Sequence, residues 1–289
     1  MATILNWRVS SSASALHAAA ALLRGESLAD GSLAGILVEP SAVLQAEIEG
    51  LHLSPERFWQ NLLGFAATIE SNRELARLVL VKTIGKGAAA ERAESRIAGA
   101  VTSIESTFNN HLPKLAEELP LRMGPLREQW EARGPGFLRQ IGLLTEETLL
   151  VEQAEVVVLH PALGGSGQAW LAGNQVRIEG VLANPFPQLP EVVRLGWLLA
   201  QLNLDLPALS ENVHADRLPR VAEIAMLPAA LSAGREVELC QDSPDLLAQT
   251  ILNWRLSADA TVVTQWWETY RESRPPIAVA LAALDKMLD

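Results

Sequence analysis

Few residues in this chain could carry chemistry, and two of them lie on one very apolar segment. Between residues 189 and 204 the sequence is apolar almost all round a helix. Its polar residues, among them Glu191, Arg194 and Gln201, fall on one stripe at about 100° per residue. On that stripe Glu191 could act as a general base, and Arg194 could orient a substrate carboxylate or polarise a carbonyl. The two are also spaced to pair as i and i+3.

A glycine-rich run precedes the apolar segment. Gly164-Gly165-Ser166-Gly167-Gln168 resembles the GxSxG pattern of a nucleophile elbow, but Gln168 stands where the last glycine belongs. An elbow also needs a helix after it, whereas Ala169-Trp170-Leu171 indicates a strand. We interpret the run as a loop between strands that could hold a ligand. The candidate binding residues are Gly164, Gly165 and Ser166, together with Gln201.

Two of the five histidines stand where a general base would be useful. His160 ends the strand before the loop, and His214 lies two residues before Asp216 in a polar segment. Either could serve Ser166 as a base, and His214 with Asp216 could form a catalytic pair. The alternative for both is a loop histidine with satisfied hydrogen bonds.

Motifs that bind metals or phosphates are missing from the sequence. It contains no HExxH, no CxxC, no GxxxxGK[ST] and no complete GxGxxG after a strand, and its histidines are widely spaced. We therefore predict no metal site and no cofactor.

The composition is that of an acidic globular protein. Of the 289 residues 49% are apolar and 20% charged, and the net charge is −11. This acidic balance argues against a nucleic-acid partner, which needs a cationic surface. No apolar run reaches about 18 residues, so we expect no membrane partner. The composition leaves the oligomeric state open.

The single cysteine and the N-terminal segment bear on the compartment. Cys240 has no basic neighbour nearer than Arg235, so we interpret it as a small core residue rather than a nucleophile. One cysteine cannot form an intramolecular disulfide, which fits a reducing compartment. The segment before Gly25 is apolar and free of acidic residues, but it lacks the basic start of an export signal. We expect a cytoplasmic, bacterial protein.

Helical signals dominate the chain. Ser54-Pro55-Glu56 predicts a helix start, and the helix is expected to run to about Thr83 and end at Gly85. A second helix over 88–110 would complete a hairpin. Further helices are expected from Ser41 to Glu49 and, four in number, from residue 218 onward. Prolines are expected to divide the chain into short helical pieces or to interrupt a helix at Pro113, Pro120, Pro125, Pro135 and Pro228.

One region indicates strands. Glu155–Leu159 is β-branched, and residues 169–171 and 175–182 add a hairpin around Gly173-Asn174. Residues 31–38 are a further candidate strand. We predict an α+β fold, mainly helical, with one small sheet of about three strands. The composition changes near Val151. This change suggests a helical region over 1–150 and a region over 151–289 with the sheet and the C-terminal helices; a single core shared by the two is the alternative.

Two further features are unusual. The segments 3–8 and 250–255 both read Thr-Ile-Leu-Asn-Trp-Arg. We interpret them as loops in similar environments, each before a Ser-capped helix, with Trp7 and Trp254 packed near each other; a duplicated ligand site and chance are the alternatives. Eight tryptophans, including Trp266-Trp267, could mark an interface. The alternative is that one of the pair lies inside a helix face and the other is half exposed.

The order of elements over residues 155–206 resembles the core of the zincin metallopeptidases. In that family a strand pair lines the substrate cleft, and the next helix bears HExxH, whose two histidines bind zinc while its glutamate is the general base. Here Glu191 matches the glutamate, but Pro190 and Arg194 stand at the histidines. Proline has no ligand atom and arginine stays cationic, so the resemblance implies a scaffold without its metal.

Three functions follow from these observations. The first is a non-catalytic or lapsed peptidase-like scaffold that binds a peptide or protein, with a strand edge as the candidate binding surface. The second is a hydrolase with Glu191 as general base, its site lying between the 160–168 loop, the Glu191/Arg194 stripe and the 212–217 loop. The third is a structural or oligomerising protein that uses exposed tryptophan. The absence of every strong catalytic motif favours the first.

Overall fold

The fold is that of a computed structural model, which describes residues 3–184, 186–241 and 243–288. The described residues form a mainly helical α+β structure with one four-stranded sheet, as the sequence predicts. The strands are β1 Ile4–Val9, β2 Gln153–Leu159, β3 Gly167–Trp170 and β4 Gln175–Glu179. The helices are α1 Ser11–Leu23, α2 Gly31–Gly50, α3 Pro55–Phe65, α4 Asn72–Ile84, α5 Ala88–His111, α6 Leu115–Leu144, α7 Glu191–Leu199, α8 Pro207–Ser210, α9 Leu218–Glu236, α10 Leu246–Asn253, α11 Ala260–Ser273 and α12 Ile277–Met287.

The sheet has the strand order β1-β2-β4-β3. Strands β1, β2 and β4 run parallel, and β3 pairs antiparallel with β4 at one edge. The fourth strand is β1, which the sequence did not reveal. It is an edge strand whose side chains alternate between exposed and half-buried, and its partner lies about 150 positions away.

The two faces of the sheet contact different hydrophobic cores. Val156, Val158 and Ile178 point into a core formed with α6, α7 and the C-terminal helices. Val157 and Leu159 point into a core formed by α1 to α5. The sheet is therefore a wall between two helical layers, as expected when alternate residues of buried strands serve opposite faces. The boundary near residue 150 remains a prediction.

The capping signals predict helix starts correctly. Ser54 accepts a hydrogen bond from the backbone of Arg57 at the start of α3, with Pro55 in the first position. The chain leaves the helix after Phe65 and begins again at Asn72, so the predicted long helix is two. The second of them ends at Gly85 (φ 83°) and packs on α5, as predicted.

The prediction of a break at Pro113 is confirmed, because this residue lies between α5 and α6, whereas the predictions from the other prolines and two others in the N-terminal half are wrong. Pro120, Pro125 and Pro135 lie inside the single 30-residue helix α6, on its exposed side, where water can satisfy the carbonyls that proline leaves without a donor. Pro228 likewise lies inside α9. The candidate strand over 31–38 and the helix start at Ser41 both fall within α2, which Asp30 caps.

The repeated hexapeptide occupies two different environments, so its interpretation as a pair of similar loops is wrong. Trp7 lies in strand β1, whereas Trp254 follows the end of α10 and stacks on Trp197 with ring centroids 4.8 Å apart. The helix that follows the second copy is capped by Asp259 rather than by serine. Local identity over six residues did not decide the conformation, because strand pairing and helix packing come from elsewhere in the chain.

The adjacent tryptophans are both buried. Trp266 and Trp267 each contact Tyr270 through nearly parallel rings at 5.8 and 5.5 Å, and the indole N–H of Trp266 donates to the carbonyl of Ala280. The expectation that one of them is half exposed is therefore wrong. α11 presents a face wide enough to bury both indoles against α9 and α12.

Gly196 on α7 tests how tightly the core below the sheet is packed. A Cβ atom at this position would lie 2.2 Å from Cε1 of the buried Phe137. We expect Gly196→Ala to lower the free energy of unfolding by about 1–3 kcal/mol, through overpacking. Gly99 on α5 is the control, because nothing lies within 4 Å of its Cβ position. Gly99→Ala should raise the free energy of unfolding, measured by urea denaturation, by about 0.5–1 kcal/mol. Equal effects at the two sites would contradict the tight packing around Gly196.

Candidate functional site

The apolar helix α7 lies against the sheet, as its sequence predicts. All residues of Glu191–Leu199 are buried, and the helix contacts β3 and β4 on one side and α6 and α9 on the other. It is shorter than the predicted 189–204, since a 3₁₀ turn over Leu202–Asp205 follows it. The amide of Gln201 donates to the carbonyl of Trp197, so this residue closes the end of the helix.

Glu191 and Arg194 form a buried ion pair. Nη1 of Arg194 lies 3.2 Å from Oε2 of Glu191, and the two side chains are 2% and 10% exposed, respectively. The contact lacks hydrogen-bond geometry, so neither oxygen of Glu191 accepts a hydrogen bond from a described residue. Burial raises the pKa of Glu191 and lowers that of Arg194, and the pair offsets this only in part. The guanidinium also lies over the Trp254 ring, at 5.1 Å.

The glycine loop covers this ion pair. Gly165 has φ 128°, a conformation that side chains rarely adopt. A Cβ atom there would lie 3.3 Å from Nη1 of Arg194 and 3.7 Å from Oε1 of Glu191. The loop backbone therefore lies directly on the two charged groups, which places Gly165, Glu191 and Arg194 together as the sequence suggested.

A carboxylate that the sequence analysis missed holds the loop in place. Glu179, at the end of β4, accepts hydrogen bonds from the backbone N–H groups of Leu163 (2.8 Å) and Gly165 (2.7 Å), and His17 on α1 lies 2.9 Å from its Oε1. Burial alone would raise the pKa of Glu179, but these hydrogen bonds and His17 outweigh it and hold the pKa below its usual value. Its only sequence signal is its acidic type on an otherwise buried strand.

A cavity of about 530 Å³ opens beside the loop. It lies between α1, α2, α3, the first residues of β3 and the ends of α9 and α10. Ser166, Gly167 and Gln168 form part of its wall, and Trp59 and Trp254 supply apolar surface. Glu191 and Arg194 do not line it, because the loop residues stand between them and the open space. The polar stripe of α7 thus faces the underside of the loop rather than the cavity.

The two candidate histidines lie apart from this cavity. His160 is half-buried, and its ring meets Phe108 edge to face; burial, and next the charge of Arg122, lower its pKa. His214 is largely exposed in the turn before α9, with Asp216 at 3.7 Å. The structure brings neither of them to Ser166 through a hydrogen bond among the described residues. Sequence spacing could not show this, since His160 shares the β2–β3 connection with Ser166 but packs against Phe108, and His214 lies on a distant connection.

Among the described residues, strand β3 pairs along one edge only, with β4. Glu179 donates its N–H to the carbonyl of Ser166, and the ladder continues two residues on with Gln168 opposite Arg177. In an antiparallel pair the residues between such positions turn their N–H and C=O groups away from the partner strand. The backbone groups of Gly167 and Ala169 therefore point outward, and Gly167 lines the cavity.

Cys240 is buried in the core, as predicted for a small core residue. Cys240 is buried against Gly234, where an added Cβ would lie 2.7 Å from its Sγ. In the described part of the chain no helix is both long and apolar enough to cross a bilayer. Nor do the described residues bring three or more His, Cys, Asp or Glu side chains together as a metal site. Comparisons of the chain with family models, curated proteins and solved structures found no significant match.

Proposed function

We propose that this protein binds an extended peptide segment along the outer edge of β3, on a peptidase-like scaffold that does not cleave it. The observation that carries the proposal is the unpaired edge of β3 at the wall of a cavity of about 530 Å³. Cavities that hold small ligands or short peptide portions fall between roughly 300 and 1,000 Å³.

Backbone pairing would supply the affinity. A peptide strand added to a sheet edge gains main-chain hydrogen bonds, while pockets for alternate side chains give selectivity. The outward N–H and C=O groups of Gly167 and Ala169 offer two such positions. Next to them Trp59, Leu63 and Trp254 offer apolar surface for the peptide's side chains.

The scaffold supports binding better than cleavage. The strand hairpin β3–β4 followed by the buried helix α7 repeats the order of elements on which the resemblance to zincins depends. At the two positions of the zincin histidines stand Pro190 and Arg194, which offer no metal ligand. The guanidinium of Arg194 occupies the space next to Glu191.

A hydrolase with Glu191 as general base is the second candidate. Its support is the raised pKa of the buried Glu191, since a carboxylate desolvated in this way is a stronger base near neutral pH. It would require the 163–167 loop to move, because Gly165 lies against Glu191 and Glu191 does not line the cavity.

The proposal is tested by titrating a library of extended peptides and following tryptophan fluorescence, with mass spectrometry of the same mixtures. Intact peptides that bind with micromolar affinity are the expected result. Cleavage that Glu191→Gln abolishes would favour the hydrolase, and no binding across the library would refute the proposal.

Ala169→Pro should weaken peptide binding about tenfold or more. Proline removes the outward N–H of residue 169, and with it a hydrogen bond of about 1 kcal/mol as well as room for the partner strand. The sheet should persist, because proline is tolerated on edge strands where the N–H faces outward. Isothermal titration calorimetry measures the change.

Ala169→Ser is the matched control, since it keeps the N–H and should bind as the wild type does. A peptide N-methylated at the paired position should reproduce the loss with the wild-type protein. Full affinity in Ala169→Pro, with an unchanged thermal midpoint, would place the peptide elsewhere.

A further inference from the structure

A buried arginine stands behind the cavity wall without a counter-ion. Arg177 lies in the middle of β4 and is 3% exposed. Its Nη2 donates to Oε1 of Gln168 at 2.9 Å, while its buried Nη1 has no hydrogen-bond partner among the described residues. Buried guanidinium groups are normally paired, so an orphaned donor on a buried cation is unusual.

The charges around Arg177 do not compensate it. Among the residues that the structure describes, no carboxylate lies within ion-pair distance of Arg177. Burial, and next the like charge of Arg24, lower the pKa of Arg177 to about 9, so the group still carries its charge at neutral pH. A buried cation held beside a second cation is destabilising unless something anionic joins them.

Two other arginines, Arg24 and Arg255, line the cavity itself. Both pair with Glu26, at 2.6 Å from Arg24 and 3.5 Å from Arg255, so these two guanidinium groups share a single carboxylate. The other acidic residues of the lining are Glu56 on α3 and Glu223 on α9, and His17 is engaged with Glu179. The two lining arginines thus share one carboxylate, and the cavity as a whole carries three acidic side chains, Glu26, Glu56 and Glu223.

Gln168 connects Arg177 to the cavity wall. Gln168 is exposed, lines the cavity and accepts one hydrogen bond from the guanidinium. Its amide oxygen stands where a carboxylate oxygen could stand, and a rotation of this side chain would open Nη1 and Nη2 to an incoming group. A guanidinium fork binds a carboxylate through two parallel hydrogen bonds, which an amide oxygen cannot match.

We propose that Arg177, with Arg24, binds a carboxylate of the peptide that pairs with β3, and that Gln168 occupies this position when no peptide is bound. This inference rests on the proposed function and names the chemistry that the site selects. The carboxylate could be a C-terminus or an acidic side chain, and the peptides used in the test distinguish these two sources.

The test compares three versions of a peptide that binds the wild type: one with a free C-terminus, one amidated, and one amidated with an internal glutamate. We expect one of the two carboxylate-bearing versions to bind about tenfold or more tightly than the amidated peptide without glutamate. In Arg177→Met this advantage should disappear. The thermal midpoint of the unliganded Arg177→Met protein should stay unchanged or rise, because a buried unpaired charge has been removed. A purely structural arginine would instead lower it.

Arg8→Met is the matched control, since Arg8 lies on the same sheet but forms an exposed pair with Glu155. It should keep the carboxylate preference. If Arg177→Met fails to fold, Gln168→Ala replaces it: removal of the competing amide should raise affinity for the carboxylate peptides severalfold, and an unchanged affinity would overturn the inference.

The outcomes separate this inference from the proposed function. Peptides that bind without regard to their carboxylate, in wild type and Arg177→Met alike, overturn the inference and leave peptide binding standing. If no peptide binds, the function fails, and N-acetylglycine then tests the site alone by two-dimensional NMR of the arginine side chains. Shifts of the Arg177 signals that saturate support the carboxylate site, and no shifts refute it.

Discussion

Replacing Glu191 with leucine is expected to lower the free energy of unfolding by about 3–5 kcal/mol, because it leaves the buried guanidinium of Arg194 without its partner. Arg194→Met should lower the free energy of unfolding by less, about 1–3 kcal/mol. The carboxyl of Glu191, left alone, can become neutral by binding a proton, whereas the guanidinium of Arg194 cannot become neutral by releasing one. The double variant should be close to the wild type or more stable, as expected when a buried ion pair is replaced by apolar side chains. Urea denaturation at pH 7 measures all three.

The Arg194→Met variant should also depend on pH in a defined direction. Burial raises the pKa of Glu191 above its unfolded value, so its contribution is complete at low pH and is lost as pH rises through the folded pKa. Without Arg194 this loss should grow. The exposed pair of Arg127 and Glu131 on α6 is the control, with a coupling of about 0.3–0.5 kcal/mol. Equal costs for the two single variants, or a double variant less stable than either, would contradict the buried pair.

The parts of the fold that the sequence could predict are those with local causes. The start of α3 depends on Ser54 and Pro55, which act within one helical turn. The hairpin β3–β4 turns at Asn174, whose left-handed conformation suits asparagine. The burial of α7 follows from its apolar composition, which no surface helix would carry. Each signal is complete within about ten residues.

The parts that failed depend on distant contacts. β1 becomes a strand because β2 offers it a parallel partner, and nothing in residues 4–9 announces that pairing. α6 continues through three prolines because its buried face, which includes Trp130 and Phe137, stabilises the helix more than the lost hydrogen bonds weaken it. Local propensity is a weak prior wherever tertiary packing opposes it.

The candidate site shows the same division. The sequence places Glu191 and Arg194 on one stripe and a glycine loop before them, and the structure brings these together. The sequence could not show that Glu179 would hold the loop, because the contacts of Glu179 join positions 14 to 162 residues apart. Nor could it show that Arg177 would lack a counter-ion, since the alternation of β4 indicates burial but not which groups lie opposite.

Glu179→Ala should be among the most damaging single changes in the chain. It removes the acceptor for the N–H groups of Leu163 and Gly165 and leaves them without a partner in a buried region. Each such group costs about 1–3 kcal/mol, so the expected loss is about 3–5 kcal/mol in urea denaturation. Amide exchange at both residues should accelerate. Glu155→Gln is the control, because the exposed ion pair of Glu155 with Arg8 contributes only about 0–1 kcal/mol to stability.

The pH dependence separates the hydrogen bonds of Glu179 from simple packing. Because they hold its pKa below the unfolded value, the stability they add is present above the unfolded pKa and is lost as pH falls through the folded pKa. Wild type and Glu179→Ala should therefore converge in stability on the acidic side and differ most near neutrality. A constant difference across the range would mean that the carboxylate acts by volume alone. Convergence would show that the ionised carboxylate, through its bonds to Leu163 and Gly165, stabilises the loop that covers the ion pair and leads into β3.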